Sequence, residues 1–404
     1  MTSRRRSSLT FWAVQLLLVG ALAIAYEAMG EQTRDRFRVV FSPTGAFKDV
    51  PIPRAKPLRI DPLYDDHSIV TDKQLADVLR QVRPILDPKE LRPNYVEHAL
   101  RTWGVDATFA DPQALSGEAM RDFLTHDENF HQSWGDAVEP LLTDGPKGVV
   151  VRWGRERGAS VHHDHLLACL TEAGVSLTDP VSTRTSRNKT IADMLRQALF
   201  DFRYDERETE WSVAAFTLWL PPNRRWKAPD GRHLSFDMLA ERLMRGHLQK
   251  GVCAGTHRVF SLLVLLRVDD QYDILSDETR ERVFRHLQHV RDLLVASQCE
   301  DGHWPYNWPD GEEAAKNPKD DPPYRAVIAT GHHLEWLALA PKELHPPHDR
   351  IVRAAKWVIQ KTVSKSPDEI RENYTFYSHV GAALALWRGT HPAEFWSRWL
   401  ATHN

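Results

Sequence analysis

The chain has 404 residues, 42% of them hydrophobic, enough to bury one large core or two modest ones. Its 52 Lys and Arg against 55 Asp and Glu leave a formal net charge of −3, which excludes a phosphate-neutralising surface and with it nucleic acid as the main partner. With Cys169, Cys253 and Cys299 as the only cysteines, a disulfide framework is excluded as well.

At the N-terminus Arg4, Arg5 and Arg6 precede an apolar run from Leu9 to Ala28. Basic residues ahead of such a run hold the N-terminus in the cytoplasm, so the pattern predicts one membrane-spanning helix over 9–28 and an extracytoplasmic main domain, periplasmic or at the cell surface. Ala23-Ile24-Ala25 has the small-x-small form of a signal-peptidase site. The organisation expected is therefore 1–30 as anchor or uncleaved signal, 31–70 as linker, 71–189 as an N-terminal helical region and 190–404 as helical hairpins.

Helical spacing begins at Thr71 and recurs over Asp72 to Leu86, Pro93 to Trp103 and Gly117 to Phe123. Val149-Val150-Val151 is the one strand-like run. From Thr190 the helices come in pairs, one apolar along a stripe and the next apolar on nearly all sides. Thr190 to Phe202 precedes Trp211 to Leu220, Phe236 to Met244 precedes Val259 to Val268, Arg280 to Ala296 precedes Ala326 to Ala340, and Ile351 to Val363 precedes Val380 to Trp387. A helix apolar all round must be covered on every side. The alternation thus predicts an all-α fold, an α/α toroid whose buried helices line the inside and whose amphipathic helices wrap it.

The segment Gln298-x-x-x-Gly302-x-Trp304 resembles the glutamine-tryptophan motif of the squalene-hopene cyclase and prenyltransferase superfamily, which also builds α/α toroids from paired helices. The resemblance covers about 190–404 and implies a structural role for Gln298 and Trp304, tying a helix end to the next hairpin. The family's acidic Asp-x-Asp-Asp and its Asp-x-Cys zinc segment are absent. Asp269-Asp270-Gln271-Tyr272-Asp273 fits an aspartate-rich diphosphate motif but falls at the far end of its helix, and reads as a solvated turn.

In such a ring the inner helices run the same way and gather their N-termini, with their partial positive charge, at one mouth. Glu208 and Glu210, Cys253 and His257, His332 and His333, then Tyr374, Tyr377 and His379 lead into successive inner helices. The loop bearing Cys299, Asp301 and His303 reaches the same mouth. His257, Asp301, His303, His333, Tyr377, His379 and Glu210 are the catalytic candidates, because imidazoles paired with carboxylates move protons at neutral pH. Cys253, His257 and His332 are the metal candidates, a Cys-x-x-x-His pair with a third nitrogen and an open position, for which zinc is the candidate ion. His162-His163-Asp164-His165 reads as a solvated helix start and Cys169 as a buried thiol. The chemistry expected is that of a lyase or hydrolase on a cell-envelope glycan. A terpenoid-cyclase or prenyltransferase-like enzyme on a lipid, and a non-catalytic toroid that binds a peptide or protein, are the alternatives.

Overall fold

A computed structural model describes residues 3–29, 33–34, 53–228, 231–246, 248, 251–319 and 321–403. The chain is mostly helical. Helix α1 (Ser3–Ala28) is followed by a series in which an amphipathic helix precedes a buried one. The pairs are α2 (Asp72–Gln81) with α3 (Pro93–Trp103), then α4 (Gly117–Thr125) and α5 (Asp127–Trp134) with α6 (His165–Glu172), then α7 (Ile191–Asp201) with α8 (Glu210–Trp219). They continue with α9 (Phe236–Arg245) and α10 (Thr256–Tyr272), then α11 (Asp277–Ser297) and the short α12 (Glu312–Lys316) with α13 (Pro323–Leu339). Last come α14 (His348–Val363) and the short α15 (Pro367–Glu372) with α16 (Tyr374–Trp387), and then α17 (Pro392–His403).

The amphipathic helices start where side chains satisfy their free amides. Thr71 and Gln74 form a reciprocal capping box on α2, and Thr190 and Asp193 do the same on α7. Ser235 and Ser276 cap α9 and α11. Each such helix buries one stripe, as α11 does with Val283, Leu287, Val290 and Leu294. Every residue of α8 is buried, and so is α13 from Val327 to Leu339.

Among the described residues the buried helices touch one another in chain order, α3 to α6, α6 to α8, α8 to α10, α10 to α13 and α13 to α16, and α16 returns to α3. One hydrophobic core runs through them, so it continues across residue 189, where two regions were expected. Besides the expected Val149–Val151, which pairs with Leu142–Asp144, short antiparallel ribbons join Pro180–Val181 to Lys189–Thr190 and Arg225–Lys227 to His233–Ser235. Two- and three-residue strands carry too little periodicity to be read in advance.

The linker expected over 31–70 needs correction over its described part. Residues 53–70 form a strap across the C-terminal ends of the buried helices. The Arg54 and Leu58 amides donate to the Trp219 and Leu218 carbonyls (2.9 Å each), and the Asp66 amide donates to the Trp387 carbonyl (2.8 Å). The Tyr64 hydroxyl donates to the Ala340 carbonyl at 2.7 Å. The unpaired carbonyls at helix C-termini are what a proline-rich, extended segment can reach.

In α1 the described side chains Trp12, Leu16, Leu17, Leu18, Val19, Leu22 and Ile24 are exposed. No helix among the described residues is long and apolar enough to cross a membrane, so the span expected over 9–28 finds no support in the fold.

The glutamine-tryptophan segment ties α11 to α14. Gln298 Nε2 donates to the carbonyls of Gly302 (2.7 Å) and Arg350 (2.8 Å), and Trp304 Nε1 donates to the Leu294 carbonyl (2.9 Å). Gly302 stands at φ +102°, and a Cβ there would lie 2.8 Å from the Arg353 carbonyl oxygen, so no other residue fits.

Candidate active site in the helical interior

The inward faces of the buried helices carry ionisable side chains in two layers, one or two helical turns apart. α3 contributes His98 and Arg101, α6 His165 and Glu172, α13 His332 and Glu335. Spacings of three and seven keep each set on one face. α10 adds His257 and α16 adds His379. His98, His165, His257, His332 and His379 are all at most 4% exposed.

In the first layer the imidazoles form a chain. Ring centroids lie 4.8 Å apart for His165 and His98, 5.2 Å for His98 and His379, 3.9 Å for His379 and His332, and 4.2 Å for His332 and His257. Trp211 covers its outer side, 4.2 Å from His257 and 4.5 Å from His165. Burial holds all five histidines below their ordinary pKa, so they are neutral at pH 7.

The second layer is held by Arg101, whose guanidinium lies 2.9 Å from Glu172 and 2.8 Å from Glu335. Burial pushes the Glu335 carboxyl up, but Arg101, His332 and His379 outweigh it and hold the group well below the usual range, hence ionised. The layers are joined at Glu335 Oε2, which lies 3.3 Å from His332 Nδ1 and 3.4 Å from His379 Nδ1. Arg101 Nη1 is 3.0 Å from His379 Nδ1. A guanidinium has only donors and an ionised carboxylate only acceptors, so the two tautomers follow. His332 donates from Nδ1 and keeps a lone pair on Nε2, whereas His379 Nδ1, closer to Arg101 at 3.0 Å than to Glu335 at 3.4 Å, accepts there and carries its proton on Nε2. Both Nε2 atoms are buried without a hydrogen-bond partner. Beside them Glu97, raised to about 8 by burial, pairs as a neutral carboxyl with His165.

Below Arg101 and Glu335 lies a cavity of about 80 Å³ lined from all six buried helices, by residues that include Thr102, Glu172, Leu218, Phe260, Leu339 and Ala382. Leu58, Arg59 and Ile60 of the strap also line it. This cavity is thus at the C-terminal ends of the buried helices, opposite the mouth at which one was expected.

Cys253 sits where α9 gives way to α10, in a run of left-handed residues (φ 48°, 56° and 81° at Cys253, Ala254 and Gly255). The Thr256 hydroxyl donates to its carbonyl at 3.0 Å. Donor atoms of Cys253, His257 and His332 all lie within 4.8 Å of one another, and so do those of His332, Glu335 and His379. The expected metal set is therefore brought together, and His257 and His379 are in the same cluster.

The other candidates fall elsewhere. His332 and His333 lie in the second half of α13 rather than at its start, because the helix begins at Pro323. His333 turns away from His332 into an aromatic box, accepting from Trp336 Nε1 at 3.1 Å with Trp308 edge-on at 4.6 Å. Asp301 and His303 pair with each other at 2.5 Å outside the interior, where Trp357 donates to Asp301 and stacks on His303. Glu210 is fully buried but braces the loop before α10, accepting from the Thr209 and Val252 amides at 3.0 and 3.5 Å. Tyr377 is buried, and the charges that act on it are Lys365 and Glu369. His165, read as solvated, is 1% exposed. His162 and His163 beside it pair with Glu208 (2.7 Å) and Glu206 (3.3 Å). Asp269, also read as solvated, is buried and holds Arg280 at 2.6 Å and the Leu275 amide at 2.7 Å.

His98, Arg101, Glu172 and Glu335 went unread as site residues. Their signal is ionisable residues at three- and four-residue spacing inside helices that are otherwise apolar. Compared with known protein families, curated proteins and solved structures, the chain matches none.

Proposed function

We propose that this protein is an α/α toroid of six helical hairpins whose axial interior is a catalytic site for hydrolysis or elimination on a cell-envelope glycan. The observation that carries the reading is the convergence of five neutral histidines and an Arg101–Glu172–Glu335 network on the inward faces of the buried helices. Taking the Arg101, Glu172 and Glu335 charges out of water costs several kcal/mol each, and apolar residues of similar volume would pack there at no such cost. Buried titratable clusters of this kind mark working sites. In this reading Glu335 fixes the tautomer of His332 and Arg101 that of His379, whose Nε2–H is the proton donor. Arg101 keeps Glu335 ionised.

The exposed apolar side chains of α1 favour attachment to a membrane, with Arg4, Arg5 and Arg6 keeping the N-terminus cytoplasmic and the toroid on the other side. Alkaline carbonate extraction of membranes should leave the full chain in the pellet and release a chain lacking residues 3–28. Equal release of both would remove the attachment.

The enzymatic reading is tested by incubating the full chain with a panel of acidic and neutral envelope polysaccharides and weighing the products. Fragments bearing added water or a new double bond, formed by the parent and not by His379→Ala, support it. Undegraded polymer that nonetheless binds the parent would make the toroid a binding module.

A further inference from the structure

We propose that Cys253, His257 and His332 hold a single zinc ion, with a fourth position left open for water. The proposal goes beyond the acid–base reading of the interior and stands on the geometry of three segments. Cys253 arrives from the loop before α10, His257 from the first turn of α10, and His332 from the neighbouring α13. Their donor atoms all lie within 4.8 Å of one another, so small side-chain rotations bring them around one ion. Thiolate and imidazole are both zinc ligands, and three protein ligands with an open fourth position are the form of a catalytic zinc site.

His332 supplies the independent sign of a ligand. It is 3% exposed, Glu335 Oε2 lies 3.3 Å from its Nδ1, and its Nε2 is buried with no partner. A buried lone pair left unsatisfied costs about 1–3 kcal/mol, and a metal ion is what a lone pair fixed by a carboxylate on the opposite ring nitrogen accepts. Glu335 is therefore a positioning residue for His332, and Arg101 in turn holds Glu335 at 2.8 Å.

The competing set of His332, Glu335 and His379 is the poorer site. Arg101 is already 2.8 Å from Glu335 and 3.0 Å from His379 Nδ1, and its positive charge opposes a second cation there. That leaves His379 Nε2–H, which is also without a partner, to face water or substrate on the zinc rather than to ligate it.

The test uses the full chain, stripped of metal and titrated with cobalt(II). The parent should bind one equivalent and develop the near-ultraviolet thiolate-to-cobalt band together with tetrahedral visible bands. Cys253→Ser should lose the thiolate band, whereas Cys169→Ser and Cys299→Ser should retain it. Zinc should bleach the spectrum stoichiometrically. Glu335→Gln, which keeps the size of the side chain, should weaken cobalt binding by 10- to 100-fold, as removal of outer-shell partners does. Circular dichroism on each variant separates loss of a ligand from loss of the fold. No band in the folded parent, or a band that survives Cys253→Ser, would overturn the proposal. A folded parent that binds no cobalt yet cleaves glycan in a His379-dependent way would sink the zinc and leave the acid–base reading standing.

Discussion

The Arg101 guanidinium lies 2.8 Å from the Glu335 carboxylate, which ties α3, near the start of the ring of buried helices, to α13, near its end. Both side chains are 5% exposed, so neither is served by solvent. The pair, with the partly exposed Glu172 at 2.9 Å, is a triad whose members depend on one another.

Removing one member should therefore cost more than removing all three. Arg101→Met leaves two carboxylates uncompensated and should lower the unfolding free energy by about 3–5 kcal/mol. Arg101→Met combined with Glu172→Gln and Glu335→Gln should recover most of that loss. Urea unfolding of the single and triple variants checks the prediction, and equal losses in both would mean that the triad carries no coupling.

At the α11–α14 junction the expected effects follow from backbone contacts. Gln298→Ala removes donors to the Gly302 and Arg350 carbonyls and should cost about 2 kcal/mol. Gly302→Ala places a Cβ 2.8 Å from the Arg353 carbonyl oxygen at a φ that alanine avoids, and should cost at least as much. Differential scanning calorimetry of the two variants reads both losses. A Gly302→Ala protein as stable as the parent would show that the junction can shift.

His391 gives the strap a dependence on acid. Arg59 Nε donates to His391 Nε2 at 2.8 Å, and burial followed by the Arg59 charge holds this imidazole down at about 4. The native state thus binds its proton later than the unfolded chain does, near 6.5. Its contribution is complete above about pH 6.5 and is lost as the pH falls through 4, by about 2–3 kcal/mol if the full shift is realised. Stability measured from pH 7 to 4 should fall less steeply in His391→Gln. An unchanged slope would assign the acid sensitivity to other groups.

His163 works with the opposite sign. Burial lowers it, yet the carboxylates of Glu206 and Asp164 outweigh burial and raise it to about 9. Stability from this group is complete below about pH 6.5 and is lost as the pH rises through 9. His163→Gln should flatten the alkaline limb of the stability profile while leaving the acid limb unchanged.

Much of the ring was legible because burial leaves a mark on sequence. Pro93–Trp103 matches the expected span at both ends, and the limits of α7, α8 and α9 differ from expectation by about one residue. Cys253, His257 and His332 were legible as a set from their ligand chemistry, although the Cys-x-x-x-His pair crosses from a left-handed loop into the first turn of α10 rather than spanning one helical turn. The second layer was not, since Arg101, Glu172 and Glu335 look like ordinary solvent-facing charges until the helices around them close. Asp301 and His303 misled for the converse reason. Their local pairing satisfies both, and nothing in a dipeptide spacing tells whether a loop turns inward or out.

The strap bears on the order of assembly. Its amides pair with carbonyls of Trp219, Leu218 and Trp387, all made long after residues 53–66 leave the ribosome. An early segment whose partners are late must wait, so the strap can be laid only in stages, first on α8, then on α13, and last on α16. A chain stopped before Trp387 would lack the partner of Asp66 and leave that end of the strap open to proteases.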